Sequence, residues 1–215
     1  MTVRGATSTR RRDETRRRLM TAAYEVFTEH GIAESPIELI CDRAGFTRGA
    51  FYSNFSSKED LFMAVFTEQM RDRFAEVSAA FDELVAGRPV RDEATLRDLV
   101  RTISAHYMDP LINDKTWYLL TLEFRAHALR NPELRAHANE VISRIHEEFG
   151  VMLAAMCECL GIRLTVEPRD AAIVLFSLYE AAVERAMFEN VDAPLDSTLL
   201  AEVLPRLMAR PLFAI

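Results

Sequence analysis

The chain has 215 residues, enough for one large core or two smaller ones, and about half are hydrophobic with only seven glycines, a composition suited to packed helices. Its net charge of −7 is unevenly divided: residues 1–60 hold ten Lys/Arg against nine Asp/Glu, and residues 1–18 alone hold seven Arg against two acids. That asymmetry excludes a uniformly acidic surface and puts an attractive field for an anionic partner at the N-terminal end.

Residues 1–12 have no apolar face and read as a flexible basic arm. The arginines there precede no apolar segment, so a secretory signal is not expected. From Asp13 to His30, Leu19, Ala22, Ala23, Val26 and Phe27 recur at helical spacing, and Gly31 stops the helix. Arg16, Arg17 and Arg18 fall in its first two turns, where free N–H groups and positive charge together favour phosphate.

Ser35 to Leu61, SPIELICDRAGFTRGAFYSNFSSKEDL, is the most informative stretch. Ser35 and Glu38 have capping-box spacing, Pro36 suits a first turn, and Ile37, Ile40, Cys41 and Ala44 make an apolar stripe. Gly45 sits where a left-handed residue ends a helix, Phe46 can anchor the turn, and Thr47 can cap a second helix over Arg48–Ser53. Ser56 with Glu59 repeats the capping spacing, so a third helix is expected near Ser57. Helix, glycine turn and short helix make a helix-turn-helix. An ordinary αα-corner shares this spacing, but Thr47, Arg48, Tyr52, Asn54 and Lys58 add hydrogen-bond donors on or beside the second helix. Gly49 and Ala50 keep its leading edge small enough to approach DNA.

With these residues in view, TRRRLMTAAYEVFTEHGIAESPIELICDRAGFTRGAFYSNFSSKEDLFMAVF resembles the DNA-binding segment of the TetR/AcrR transcriptional regulators, over Thr15 to about Phe66. Ser35-Pro36 replaces the usual Thr-x pair of that family, and Asn54 stands where His is frequent. The resemblance implies an all-α protein: an N-terminal three-helix helix-turn-helix domain (13–60) after the basic arm (1–12), and a C-terminal helical domain for effector and dimer (61–215). It assigns DNA contacts to Ser35, Thr47, Arg48, Gly49, Tyr52, Asn54 and Lys58. Thr47, Tyr52 and Lys58 would hold phosphates, with Arg48 and Gly49 nearest the bases. Phe51 and Phe55 are packing residues, which leaves Tyr52 as the aromatic to face out.

Beyond Leu61 an apolar stripe runs through Phe62, Val65, Phe66, Met70, Phe74, Val77, Phe81 and Leu84 with no Gly or Pro between Lys58 and Ala86. It predicts a helix of about 28 residues, roughly 40 Å long, shared by two cores and able to act as a lever. Leu96 to Tyr107 marks another helix, and Trp117 to Arg130 is the most aromatic C-terminal part. Pro132 opens a helix ending near Gly161, and Pro168 opens the next. A last helix contains Leu199 to Leu207 and is broken by Pro205. The resemblance implies a homodimer through about 168–189 and 195–210, which would set two recognition helices one DNA turn apart on a palindrome.

Tyr107, Trp117, Phe124, Phe149, Met152, Met156 and Phe176 could line an apolar effector pocket or simply fill the core; Glu123, Arg125, His127 and His146 could supply polar contacts. There is no Gly-rich phosphate loop, HExxH or G-x-S-x-G, and the five His lack metal-ligand spacing, so no catalytic residue, metal or cofactor is expected. No run of eighteen apolar residues could span a membrane. Cys41, Cys157 and Cys159 match neither a disulfide framework nor a CxxC pair, and a cytoplasmic setting is expected. The function expected is a ligand-responsive repressor binding a palindromic operator. A helical protein-interaction adaptor is the alternative, and it would not need the Arg-rich arm or Thr47–Lys58.

Overall fold

The computed structural model describes residues 4–85, 115–161, 163–189 and 213–214, together with 98 and 102. Apart from 98 and 102, the expected helix over Leu96–Tyr107 lies outside these, as do Tyr107 and the last helix around Leu199. The described elements are α1 (Arg4–His30), α2 (Ile37–Ala44), α3 (Arg48–Tyr52), α4 (Lys58–Val85), α5 (Lys115–Arg130), α6 (Pro132–Leu160) and α7 (Pro168–Glu189). A two-residue antiparallel pairing, β1 (Arg163–Leu164) with β2 (Phe213–Ala214), is the one departure among them from helix. The fold is all-α. The first helix starts at Arg4, upstream of the apolar periodicity; no proline precedes Pro36, so nothing sterically stops a helix there.

The contacts divide the chain into two compact units that do not follow sequence order: residues 1–69 with 119–141, and 70–118 with 142–215. The helices α4, α5 and α6 each continue from one unit into the other.

In the first unit the apolar stripe of α1 (Leu19, Ala23, Val26, Phe27) meets Ile40, Phe51, Phe55, Leu61 and Phe62, all essentially fully buried. Phe62 lies edge-on to Phe27 at 5.9 Å between ring centroids and stacks on Phe124 at 4.7 Å. Each such phenylalanine contributes about 1.5–3 kcal/mol of hydrophobic stabilisation.

Helix α2 closes as a Schellman turn. Gly45 adopts φ 72°, its N–H donates to the Asp42 carbonyl, and the Phe46 N–H donates to Cys41 O at 2.9 Å. Two expected capping boxes are corrected. Ser35 is buried, and its hydroxyl donates to the Gly31 and Val26 carbonyls at the end of α1 instead of capping α2. Pro36 takes the N-cap position with no side-chain bond. Having no N–H of its own, Pro36 leaves that end one donor fewer to satisfy. At α4 the box is shifted by one residue: Ser57 Oγ accepts from the Asp60 N–H at 3.1 Å, while Asp60 Oδ2 accepts from the Ser56 N–H at 2.8 Å.

The turn between α1 and α2 is closed from far along the chain. The Glu123 carboxylate on α5 accepts the Ile32 N–H at 3.1 Å and the Ala33 N–H at 2.7 Å. Lys58 Nζ donates to Ala33 O at 2.8 Å.

In the second unit α7 buries its small face, Ala171, Ala172, Ala182, Val183 and Ala186. Gly150 of α6 lies under the start of α7, where an added Cβ would come 2.7 Å from the Pro168 carbonyl carbon and oxygen. Arg71 of α4 grips Glu148 of α6 through two parallel bonds, 2.8 and 3.2 Å.

Candidate nucleic-acid interface

Helix α3 is short, but its two faces are sharply separated. Phe51 and, just beyond the helix, Phe55 point inward and are buried, with centroids 6.0 Å apart. Thr47, Arg48, Gly49 and Tyr52 are exposed, Tyr52 by 51 %. Thr47 Oγ1 accepts the Ala50 N–H at 3.3 Å, the N-cap bond expected from its position. The outward aromatic is Tyr52, as the sequence implies.

Arg48 is not idle in the free protein. Its Nη1 lies 2.7 Å from Glu38 Oε1 on α2, and its guanidinium stands 5.9 Å from the Tyr52 ring centroid. Both members of the ion pair are more than half exposed, a setting in which such a pair is worth little and yields readily to a better anion. A Cβ built on Gly49 would meet nothing nearer than Thr47 Oγ1 at 3.7 Å, so the room in front of this residue is left by the chain itself.

The other predicted contacts sit elsewhere. Ser35 is inside, as described. Asn54 turns back on its own helix, Nδ2 donating to Ala50 O at 2.8 Å, with Oδ1 buried and without a partner. Lys58 is engaged by Ala33 O. The structure therefore brings together Thr47, Arg48, Gly49 and Tyr52, and separates Ser35 and Asn54 from them.

The arginine triplet of α1 is also corrected. Because α1 begins at Arg4, these residues lie in mid-helix, away from free N–H groups. Arg16 Nη1 donates to Asn54 O at 2.9 Å with its guanidinium 4.2 Å over the Phe55 ring. Arg18 Nη2 donates to Ala44 O at 2.8 Å with its guanidinium 4.8 Å over Phe46. Arg17 pairs with Glu14 at 2.7 Å, fully on the surface. Sequence could not separate these roles, since charge clustering says nothing about which carbonyl a guanidinium meets.

The aromatic effector candidates divide between the units. Phe149 and Phe176 come together at 5.1 Å, joined by Phe74 (5.2 and 6.3 Å) and by His146, 5.3 Å from Phe176. Met152 and Met156 are half-buried on the same helix as Phe149. Trp117 is buried under the Arg73 guanidinium at 5.4 Å. Phe124 belongs to the other unit, stacked on Phe62, and is no part of this cluster. His127 faces Glu59 at 4.0 Å, and Glu123 holds the α1–α2 turn. Phe74, the ring between the other two, was legible only as one position in the α4 stripe. Among the described residues no group of His, Cys, Asp and Glu could hold a metal, and no helix is long and apolar enough to cross a membrane.

A helix-turn-helix anchored by buried phenylalanines, with small and donor side chains outward on its second helix, defines a DNA-binding protein of the transcription-regulator class. Residues 19–65 match the family described as bacterial regulatory proteins, tetR family. The HTH-type transcriptional activator FasR of Mycolicibacterium smegmatis is 32 % identical over 194 residues, 89 % of this chain and 80 % of that protein. The fatty acid metabolism regulator protein of Bacillus subtilis is 28 % identical over 125 residues, 58 % of each chain. The crystal structure of the Bacillus subtilis regulator FadR in complex with stearoyl-CoA superposes with a TM-score of 0.59 at 21 % identity, over 90 % of this chain and 97 % of that one. The chain belongs to the TetR family of DNA-binding transcriptional regulators.

Proposed function

We propose that the protein is an effector-responsive repressor that binds a palindromic operator as a homodimer. The observation that carries this is the outward face of α3, where Thr47, Arg48, Gly49 and Tyr52 stand clear of the chain. Arg48 exchanges Glu38 for a guanine edge, Gly49 admits close approach, and Thr47 and Tyr52 hold phosphates. Lys58 joins them once released from Ala33. Dimerisation uses α7 and the segment 195–210, spacing two α3 helices by one DNA turn. The effector is apolar and long-chained, and it lies among Phe74, Phe149, Phe176 and the neighbouring methionines. The soft, adaptable character of those methionines and the stearoyl-CoA held by a protein of this fold support that choice. Repression is the mode in which occupancy of a promoter-overlapping operator acts with no further contact. The activator name belongs to the M. smegmatis relative, and operator position, not fold, sets this sign.

The test is capture of fragmented genomic DNA on the purified protein, repeated with Arg48→Ala and at raised salt. One recovered palindrome, lost in the variant and weakened by salt, is expected. Capture with no shared sequence would reduce the protein to a non-specific binder. Stearoyl-CoA added to the complex should release the DNA; indifference to it would remove the acyl effector.

A further inference from the structure

We infer that Arg16 and Arg18 are positioning residues for sequence reading, which hold the recognition helix at both ends and do not themselves bind phosphate. The inference rests on the DNA-binding reading of α3.

Two residues apart on α1, these side chains leave the helix about 200° apart around its axis. That divergence lets one reach the turn before α3 and the other the turn after it. Arg18 closes the entry: its guanidinium donates to the last carbonyl of α2, Ala44 O, and lies over Phe46. It also sits 3.1 Å from where a Cβ on Gly45 would be, pressed against the left-handed turn. Arg16 closes the exit, donating to Asn54 O and lying 4.2 Å over the buried Phe55.

Each guanidinium makes the same kind of contacts, a charge-assisted bond to a backbone carbonyl, at the last residue of α2 for Arg18 and in the turn two residues past α3 for Arg16, and a contact over an aromatic ring. A carbonyl at a helix C-terminus carries partial negative charge and lacks an intrahelical donor, so a fixed cation suits it. Helix α3 has only five residues and little stability of its own. Its aim at the groove therefore depends on what fixes its two turns. Lysine cannot replace arginine here, because it lacks the planar fork that donates at its edge while stacking on its face.

Arg17, between them, is bonded to Glu14 on the exposed surface, with the Glu68 charge also acting on it, and serves as the internal control.

The test uses the full-length protein with Arg16→Met, Arg18→Met, the corresponding Lys variants, and Arg17→Met. Binding is measured against a mixed-sequence duplex and against the best duplex that wild-type protein selects from a random pool. For Arg16→Met and Arg18→Met, the salt slope on the mixed duplex should match wild type. The preference for the selected duplex should fall about tenfold, within the range one good base contact supplies. Lys variants should not restore it. A slope shallower by about 0.9, restored by Lys, would make either residue a phosphate contact and overturn the inference.

Amide exchange of the DNA-free protein gives an independent reading. Phe46 N–H should exchange faster in the Arg18 variants and Phe55 N–H faster in the Arg16 variants, with the α1 amides unchanged. Unchanged exchange at Phe46 and Phe55 would overturn the bracket. If the Met variants fail to fold, the Lys variants carry both readings. If wild type selects no duplex, the sequence-reading assignment of α3 fails, and the exchange arm still decides whether the bracket exists.

Discussion

Gly49, second in α3, has only the Thr47 hydroxyl within 4 Å of where a Cβ would stand, although a helix would be firmer with alanine. In a helix, Gly→Ala stabilises by about 0.5–1 kcal/mol, and the nearest atom to the new methyl would be 3.7 Å away. Gly49→Ala is therefore expected to melt higher and yet bind the captured operator more weakly, because the methyl enters the space DNA would occupy. Parallel thermal melts and binding isotherms check this; a variant that is both firmer and tighter-binding would remove Gly49 from the interface. The outward placement of Thr47, Arg48, Gly49 and Tyr52 was legible in the sequence because a five-residue helix with Phe51 buried in it and Phe55 buried just beyond it has only one way to face. Ser35 was not. Ser-x-x-Glu spacing is the same whether the hydroxyl caps the helix ahead or the carbonyls behind, and only the packing of α1 decides. Burial also sorts the thiols, pushing Cys157 up to about 11 and leaving Cys159 on the surface.

At the scale of elements, spacing located α1, α2, α4, α6 and α7 because each carries an apolar stripe several turns long, and Gly45 with Thr47 fixed the bounds of α3. What spacing could not convey was how these helices are fastened to one another. A close approach of α6 to α7 runs through Gly150, which lies against the Pro168 carbonyl on the far side of the connection between the two helices. The tie between α4 and α6 is the bidentate pair Arg71–Glu148. The hydrogen bonds and charge of Arg71 lower the Glu148 pKa below the usual 4.5. A depressed carboxylate contributes stability above its unfolded pKa, and that contribution is lost as pH falls through the folded value. Glu148→Gln should thus melt below wild type from neutral pH down to about pH 5. Below pH 4.5 the two curves should converge. A gap that stays constant at acidic pH would mean the variant acts through packing, not through the ion pair.

At the scale of the molecule, the sequence suggested a cut after residue 60, with everything later in one effector domain. The contacts group residues otherwise, returning 119–141 to the company of the DNA-binding helices. No local pattern announces this, since the link is a carboxylate on α5 meeting backbone amides that have no side-chain signature. Glu123 looked like a polar neighbour for an effector; it accepts the Ile32 and Ala33 N–H groups instead. Among the described residues those amides have no other hydrogen-bond acceptor, and a carboxylate accepting two of them is fixed in place by their geometry.

That bond spans 91 positions of sequence, so it has an order in time as well as in space. A ribosome delivering about 5–20 residues each second makes Ile32 several seconds before Glu123. During that interval α1 to α3 exist without the carboxylate that closes their first turn. Native-like DNA-binding helices should consequently be completed late, only after α5 has left the exit tunnel. A fragment ending at Gln69 is expected to melt below the full chain's first unit, and to be raised again by a separate 115–141 peptide but not by its Glu123→Ala form. Arrested chains of increasing length, probed by protease, would show whether protection of residues 31–35 arrives with α3 or waits for α5.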